Sequence, residues 1–490
     1  MKARIPHPFY QYASRFSLNS MLKAISWLSK DIFMDSSNEL GLFAGYRTYT
    51  ITLNGKKISG KPMLLQTWLI DLMYDIIRFN PNGSKEISLD EALHLIALHN
   101  DYANCREKDK INKNNVFLHV YGFFGEQKKF QAPAVLFDDF AREKYILDTI
   151  SLKEHPKNIF GLNIPELFYN ETGFRTDEYS AILFLLFVYC SNYKIAFKID
   201  NLKLDFKNPL FSIENIEKII RNNSITIDEI IQSPLQRQVL YTKPLIEVDG
   251  EFISANPFLL LSAFVNSNFW VIRNYFYNKK EQTFTNAFGK YFEIYLEEIF
   301  ENCLGNENYS NIPESDIEKR ADWHLKIDDY DILIEQKSAI SILSIKQNRP
   351  DIEAMKKHIL TTWGKAVKQL DKTEKALGLN NAIKIILVYE DYFKSECLDE
   401  LFELDSSLNN DGNYWLVPIK ELEMLLATYK NNPELFFKIM KEKISSERTF
   451  SSNGRELLKF LEQNGITKNE YLKEFGISDY FEKIKSTYMF

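Results

Sequence analysis

Residues 321–340 read ADWHLKIDDYDILIEQKSAI. Ala321 to Ile327 and Asp331 to Ile340 each predict a strand, with Asp328-Asp329 as the turn between them. Glu335 and Lys337 lie two apart on the second strand, so their side chains share a face, while Ile334 and Gln336 point the other way. A carboxylate and an ammonium thus leave an otherwise apolar strand side by side. Charge in such a place is costly unless it is paired or functional. If the two strands pair through the turn, Asp322 comes close to Glu335. Two adjacent carboxylates repel each other, and a divalent cation resolves that repulsion. Oxygen ligands with open positions suit Mg2+ or Mn2+. Such an ion lowers the pKa of water and stabilises charge on a phosphate. Lys337 is then placed to orient or deprotonate the attacking water.

Working outward, Phe284 to Phe300 carries apolar residues at helical spacing, and a loop follows through Asn306 to Glu318. A helical stretch is expected from Asp351 to Leu377, broken near Gly364. Ala382 to Tyr389 and Tyr414 to Ile419 read as apolar strands. The order helix, strand, strand, helix, strand, strand predicts an α/β core, a small mixed sheet flanked by helices.

At these residues the sequence resembles the PD-(D/E)xK nuclease superfamily, the restriction-endonuclease-like fold. Ala321-Asp322 stands in place of Pro-Asp, and Glu335-Gln336-Lys337 supplies the E-x-K half. The resemblance covers about residues 280–420 and departs from the pattern at Ala321. It implies Asp322 and Glu335 as ligands of Mg2+ or Mn2+ and Lys337 as the catalytic lysine. It also implies a nucleic-acid substrate, DNA in preference to RNA. In this superfamily a glutamate of the first helix often joins the metal. Glu293 is the candidate here, with Glu298 as its rival on the opposite edge of the helix. A glutamine on the helix after the E-x-K strand supports the site in several families, which points to Gln369. Asp331 is an alternative acidic ligand, ranked below Asp322.

Residues 337–377 hold nine Lys or Arg and four acids, a local net charge of +5 in a chain whose total is −7. Lys365, Lys368 and Lys372 share one polar helix face and are the candidate nucleic-acid-binding residues. His324 and His358 have no evident partner in the sequence and read as structural.

Residues 1–275 read as a large mixed α/β domain for recognition, sensing or partner binding. Its signals are hairpins at Asn54-Gly55 and Asp249-Gly250, and a capping box from Ser88 to Glu91 ahead of a helix running to about Asn100. Phe197 to Phe206 alternates like a strand. His94 and His99 are five apart and share no helix face. Residues 280–430 form the nuclease-like domain, and 431–490 a helical tail of three short helices with Gly465 as a stop.

The chain has 490 residues, 45% hydrophobic and 26% charged, which excludes a collagen-like or wholly disordered protein. The acidic balance argues against a nucleic-acid coat, though not against an enzyme with a local basic groove. Four scattered cysteines without a CxxC pair give no zinc ribbon and point to a reducing compartment. The N-terminus lacks the apolar core of a signal peptide, and the greasiest run, Ala181 to Cys190, is too short to span a bilayer. The expectation is a cytoplasmic protein with no membrane partner. No Walker A motif appears. The readings left open are an active endonuclease in restriction or anti-phage defence, a degenerate nuclease-fold subunit serving a partner protein, and an RNA-cleaving toxin. A homo-oligomer is also open.

Overall fold

The computed structural model describes residues 7–488 apart from 35–48, 54–55, 61–63, 108–109, 114, 129, 131–134, 193, 206–211, 314–318, 339–344, 346–349, 394 and 450–455. The Asn54-Gly55 turn, part of the loop after Asn306 and the end of the strand expected to reach Ile340 lie outside the described residues.

The chain is mixed α/β and predominantly helical. Residues 8–278 are mainly helices, among them Gln66–Phe79, Leu89–Glu107, Val135–Asp148, Thr176–Asn192 and Pro257–Asn278. A two-stranded hairpin pairs Tyr49–Leu53 with Lys56–Gly60. A four-stranded sheet combines Ala196–Phe197, Glu251–Ser254, Leu245–Val248 and Ser224–Thr226, in that spatial order. The capping box is present: Glu91 N–H donates to Ser88 Oγ, and Ser88 N–H donates to the Glu91 carboxylate. Asp249 and Gly250 turn their hairpin with φ of 52° and 73°, the left-handed pair a two-residue hairpin requires. The run Ala181 to Cys190 lies inside the helix Thr176–Asn192. One expectation fails here. The strand expected over 197–206 ends at Phe197, and Ile199–Asp205 is helical. Ile199 and Leu202 are three apart, a spacing that serves a helix as well as alternation serves a strand.

The second sheet has five strands. α1 (Thr283–Leu304) precedes β1 (Tyr309–Asn311), β2 (Trp323–Ile327) and β3 (Tyr330–Lys337). α2 (Ile352–His358) and α3 (Gly364–Leu377) lead to β4 (Ile383–Val388), α4 (Cys397–Leu404), β5 (Tyr414–Pro418) and α5 (Ile419–Asn431). The spatial order is β5-β4-β3-β2-β1. β1, β2 and β3 run antiparallel, whereas β3, β4 and β5 are parallel. The expected break near Gly364 is instead a wider π-turn, Ile359–Trp363, that joins α2 to α3 without interrupting the helix.

Each face of this sheet lies on a core. Trp323, Leu325, Ile327, Ile332 and Ile334 pack towards α1 in a core that also holds Phe140, Phe264 and Leu461. Leu333, Ile386 and Leu416 pack on the other side, with Met355, Trp363, Val367 and Leu370. The first core therefore runs from the N-terminal region through the sheet into the C-terminal helices. A buried bidentate ion pair crosses the same interface: Arg142 donates to both oxygens of Glu423 at 2.6 and 2.7 Å. Tyr295 of α1 donates to Glu423 as well. Where the sequence led to three short helices in the tail, its described residues form four, Pro433–Thr449, Leu457–Gln463, Glu470–Glu474 and Asp479–Tyr488, the first of them long, with Gly465 at φ 83° after the second. Among the described residues no helix is long and apolar enough to cross a membrane, and the cysteines form no disulfide.

Candidate active site

β2 and β3 pair with Trp323 opposite Ile334 and Ile327 opposite Tyr330, around Asp328 at φ 47°. Continuing that register one residue sets Asp322 opposite Glu335. Asp322 N–H donates to Ile334 O at 3.0 Å, and the Gln336 N–H donates to Asp322 Oδ2 at 2.7 Å. The backbone of the E-x-K strand thus fixes the orientation of the Asp322 carboxylate.

Glu335 is 3% exposed. Lys337 Nζ donates to its Oε1. Burial, then the facing Asp322 carboxylate, push Glu335 up to about 8 against the pull of Lys337. Burial raises Asp322 to about 6, opposed by the Gln336 N–H and by Lys337. The two carboxylates are hydrogen-bond partners of each other, an arrangement in which one proton is shared between them, with Lys337 on Glu335, or a cation takes that proton's place.

Glu293 on α1 is the first-helix acid that turns towards the site, close enough for its charge to raise Asp322. Its carboxylate takes Lys290 at 2.9 Å, Lys157 at 3.1 Å and the Asn311 amide at 3.3 Å. Burial acts to raise it, but the two ammoniums outweigh burial and hold it low. Its oxygens do not gather with those of Asp322 and Glu335: among the described residues the trio of ligand atoms within 4.8 Å of one another is His7, Asp101 and Cys105, on the surface. Glu298 turns away, to Tyr145 and Lys153. Asp331 is held at the far end of β3 by His324 at 2.9 Å and Lys326 at 3.0 Å. His324 therefore has a partner that the sequence did not disclose.

α3 supports the residue before β2. Gln369 Nε2 donates to Arg320 O at 3.0 Å, and Ala321 N–H donates to Thr373 Oγ1 at 2.8 Å. Sequence reasoning reached Gln369 and missed Thr373. It also missed Lys157, which sits 4.4 Å over the Trp323 ring and pairs with Glu293 and Glu297. The π-turn places His358, Thr362 and Trp363 around a cavity of about 20 Å³ that Lys337 and Glu390 also line. That space suffices for one water. Lys365, Lys368 and Lys372 are all exposed on α3, and Lys368 pairs with Asp405 at 3.1 Å.

The donor set fits a hard divalent cation. Asp322 and Glu335 offer two adjacent carboxylates, and among the described residues no third acid, histidine or cysteine gathers with them. No family model, curated protein or solved structure matches the chain.

Proposed function

We propose that residues 280–430 are a metal-dependent endonuclease of the PD-(D/E)xK type, with a restriction-endonuclease-like core, acting on DNA. The observation that carries the reading is the buried Glu335 carboxylate set against the Asp322 carboxylate, with Lys337 bonded to it two residues along the strand. A structural ion pair needs no second buried carboxylate beside it; here Asp322 and Glu335 share one Lys337. The antiparallel β1-β2-β3 followed by parallel β4 and β5 supports the same fold.

Asp322 and Glu335 would hold Mg2+ or Mn2+, which supplies positive charge for the scissile phosphate and acidifies water. Lys337 exchanges its resting ion pair with Glu335 for the attacking water and the developing phosphate charge. A water-sized cavity beside Lys337, lined also by His358, Thr362 and Glu390, lets the lysine side chain hold a water next to the pair. Gln369 and Thr373 hold the backbone that presents Asp322. Lys365, Lys368 and Lys372 supply sequence-independent phosphate contacts. A cytoplasmic role in restriction or anti-phage defence, with the N-terminal region sensing a signal or partner, is the biological setting we propose.

The test is incubation of the purified full chain with plasmid DNA, linear DNA and RNA, each with Mg2+, Mn2+ or EDTA. Cleavage of DNA with either metal and none in EDTA is expected. Intact substrates under every condition would reject the enzyme reading, and cleavage of RNA alone would reject the substrate.

A further inference from the structure

A cavity of about 700 Å³, lined by none of Asp322, Glu335 and Lys337, lies between helices of the N-terminal region and α2. Its volume is that of a small-molecule site. Five cationic side chains line it against three acids, a positive balance in a protein of net charge −7. The acids are already engaged. Asp71 holds Arg237 at 2.6 Å, and both are buried. Asp75 holds His99 at 2.9 Å and reaches Arg106 at 3.5 Å, and Glu353 pairs with Lys356. Arg78 is exposed at the opening with its guanidinium 5.8 Å from the Tyr74 ring, and among the described residues it meets no carboxylate.

His119, Asn112, Asn115 and Gln236 complete the polar lining. The Asn115 amide is spent inside its loop, accepting from the Asn112 N–H at 2.8 Å and donating to Lys110 O at 2.9 Å, which leaves the Gln236 amide to read the edge of a heterocycle or bind a hydroxyl. Gln236 is held at φ 52°, a conformation a non-glycine residue adopts only when its surroundings impose it. Cations on separate elements around one half-open volume favour a ligand with more than one negative charge. Guanidinium forks match phosphate oxygens two at a time.

We propose that this cavity is a binding site for a phosphorylated small molecule of nucleotide size, with Arg78, Arg106 and Lys356 on its phosphates and the Gln236 amide on its polar body. Lys356 belongs to α2, so the occupant touches the helix run that continues through the π-turn to Gln369 and Thr373. The site is independent of the nuclease reading.

Calorimetry on the full chain in EDTA, with AMP, ATP, a linear dinucleotide and pyrophosphate as probes, tests the proposal. At least one nucleotide should bind with a dissociation constant below a millimolar. The double variant Arg78→Ala, Lys356→Ala should weaken that binding at least tenfold with an unchanged melting temperature. Lys337→Met should bind it as the wild type does, which separates this site from the catalytic one. No binding by any nucleotide, or the same affinity in the double variant, would overturn it. Pyrophosphate binding as tightly as ATP would reduce the cavity to an anion patch and overturn the nucleotide assignment. A 20-mer oligonucleotide that displaces the nucleotide and itself weakens in the double variant would give the cavity to the substrate instead.

Discussion

The Asp322 carboxylate accepts a 2.7 Å hydrogen bond from the backbone N–H of Gln336, the residue between Glu335 and Lys337. One strand therefore carries two of the proposed catalytic groups and aims the third. Because that aim comes from backbone, Asp322→Ala should leave Glu335 and Lys337 in place and remove one metal ligand. Calorimetry with Mn2+ should show a site in the wild type and none in Asp322→Ala.

Lys337→Met keeps the length of the side chain and removes its charge. Loss of a general base or charge stabiliser costs on the order of a hundredfold or more in rate. Cleavage should fall by at least that factor, with the fold retained by circular dichroism. Equal rates in Lys337→Met and wild type would place the chemistry elsewhere.

Thr373 acts on the site through Ala321. Thr373→Val strands a buried N–H and should cost about 1–3 kcal/mol in denaturant unfolding. It should also lower kcat more than KM, since Asp322 is the next residue. Thr373→Ser keeps the acceptor and should restore most of both. A stability loss without a kcat effect would make Thr373 purely structural.

Replacing Lys365, Lys368 and Lys372 together by Ala should weaken DNA binding and flatten its dependence on salt, because each phosphate contact releases counterions. Lys368 already pairs with Asp405, so the single Lys368→Ala should have a smaller effect than Lys365→Ala. An unchanged salt slope in the triple variant would leave these lysines as a solvated face.

Glu143 is buried in the helix Val135–Asp148, where burial pushes it up to about 8 against one hydrogen bond from the Phe269 N–H. Its folded value lies above the unfolded one, so the protonated form favours the fold. That stabilisation is complete below the ordinary carboxylate range and is lost as pH rises towards about 8. The unfolding free energy from denaturant titrations should fall over that window, by on the order of a few kcal/mol at most. Glu143→Gln should flatten the fall. An identical pH profile in both proteins would show that another group sets it.

The hairpin and its charged pair were legible because the alternation of residues 323–337, the two-residue turn and the register arithmetic are all local. What was missed is long-range or ambiguous. Lys157 reaches Glu293 from a segment more than a hundred residues upstream, and no local pattern marks it. Thr373 looks neutral in a helix until its partner, the Ala321 N–H, is known. The strand expected at 197–206 failed because short apolar spacings serve either period. The charge of Lys368 read as free because Asp405 lies on the far side of β4 in the sequence.

The π-turn at Ile359–Trp363 is one residue more than an α-helix needs to cover the same length. Deleting a single exposed residue there, Thr361, would close the turn to ordinary pitch and swing one end of the rod by about 100° against the other. Lys356 and the Gln369–Thr373 pair could then no longer face their present neighbours at once. The phase between the 700 Å³ cavity and the carboxylate pair is thus set by the residue count, so that a one-codon deletion is harsher here than most substitutions.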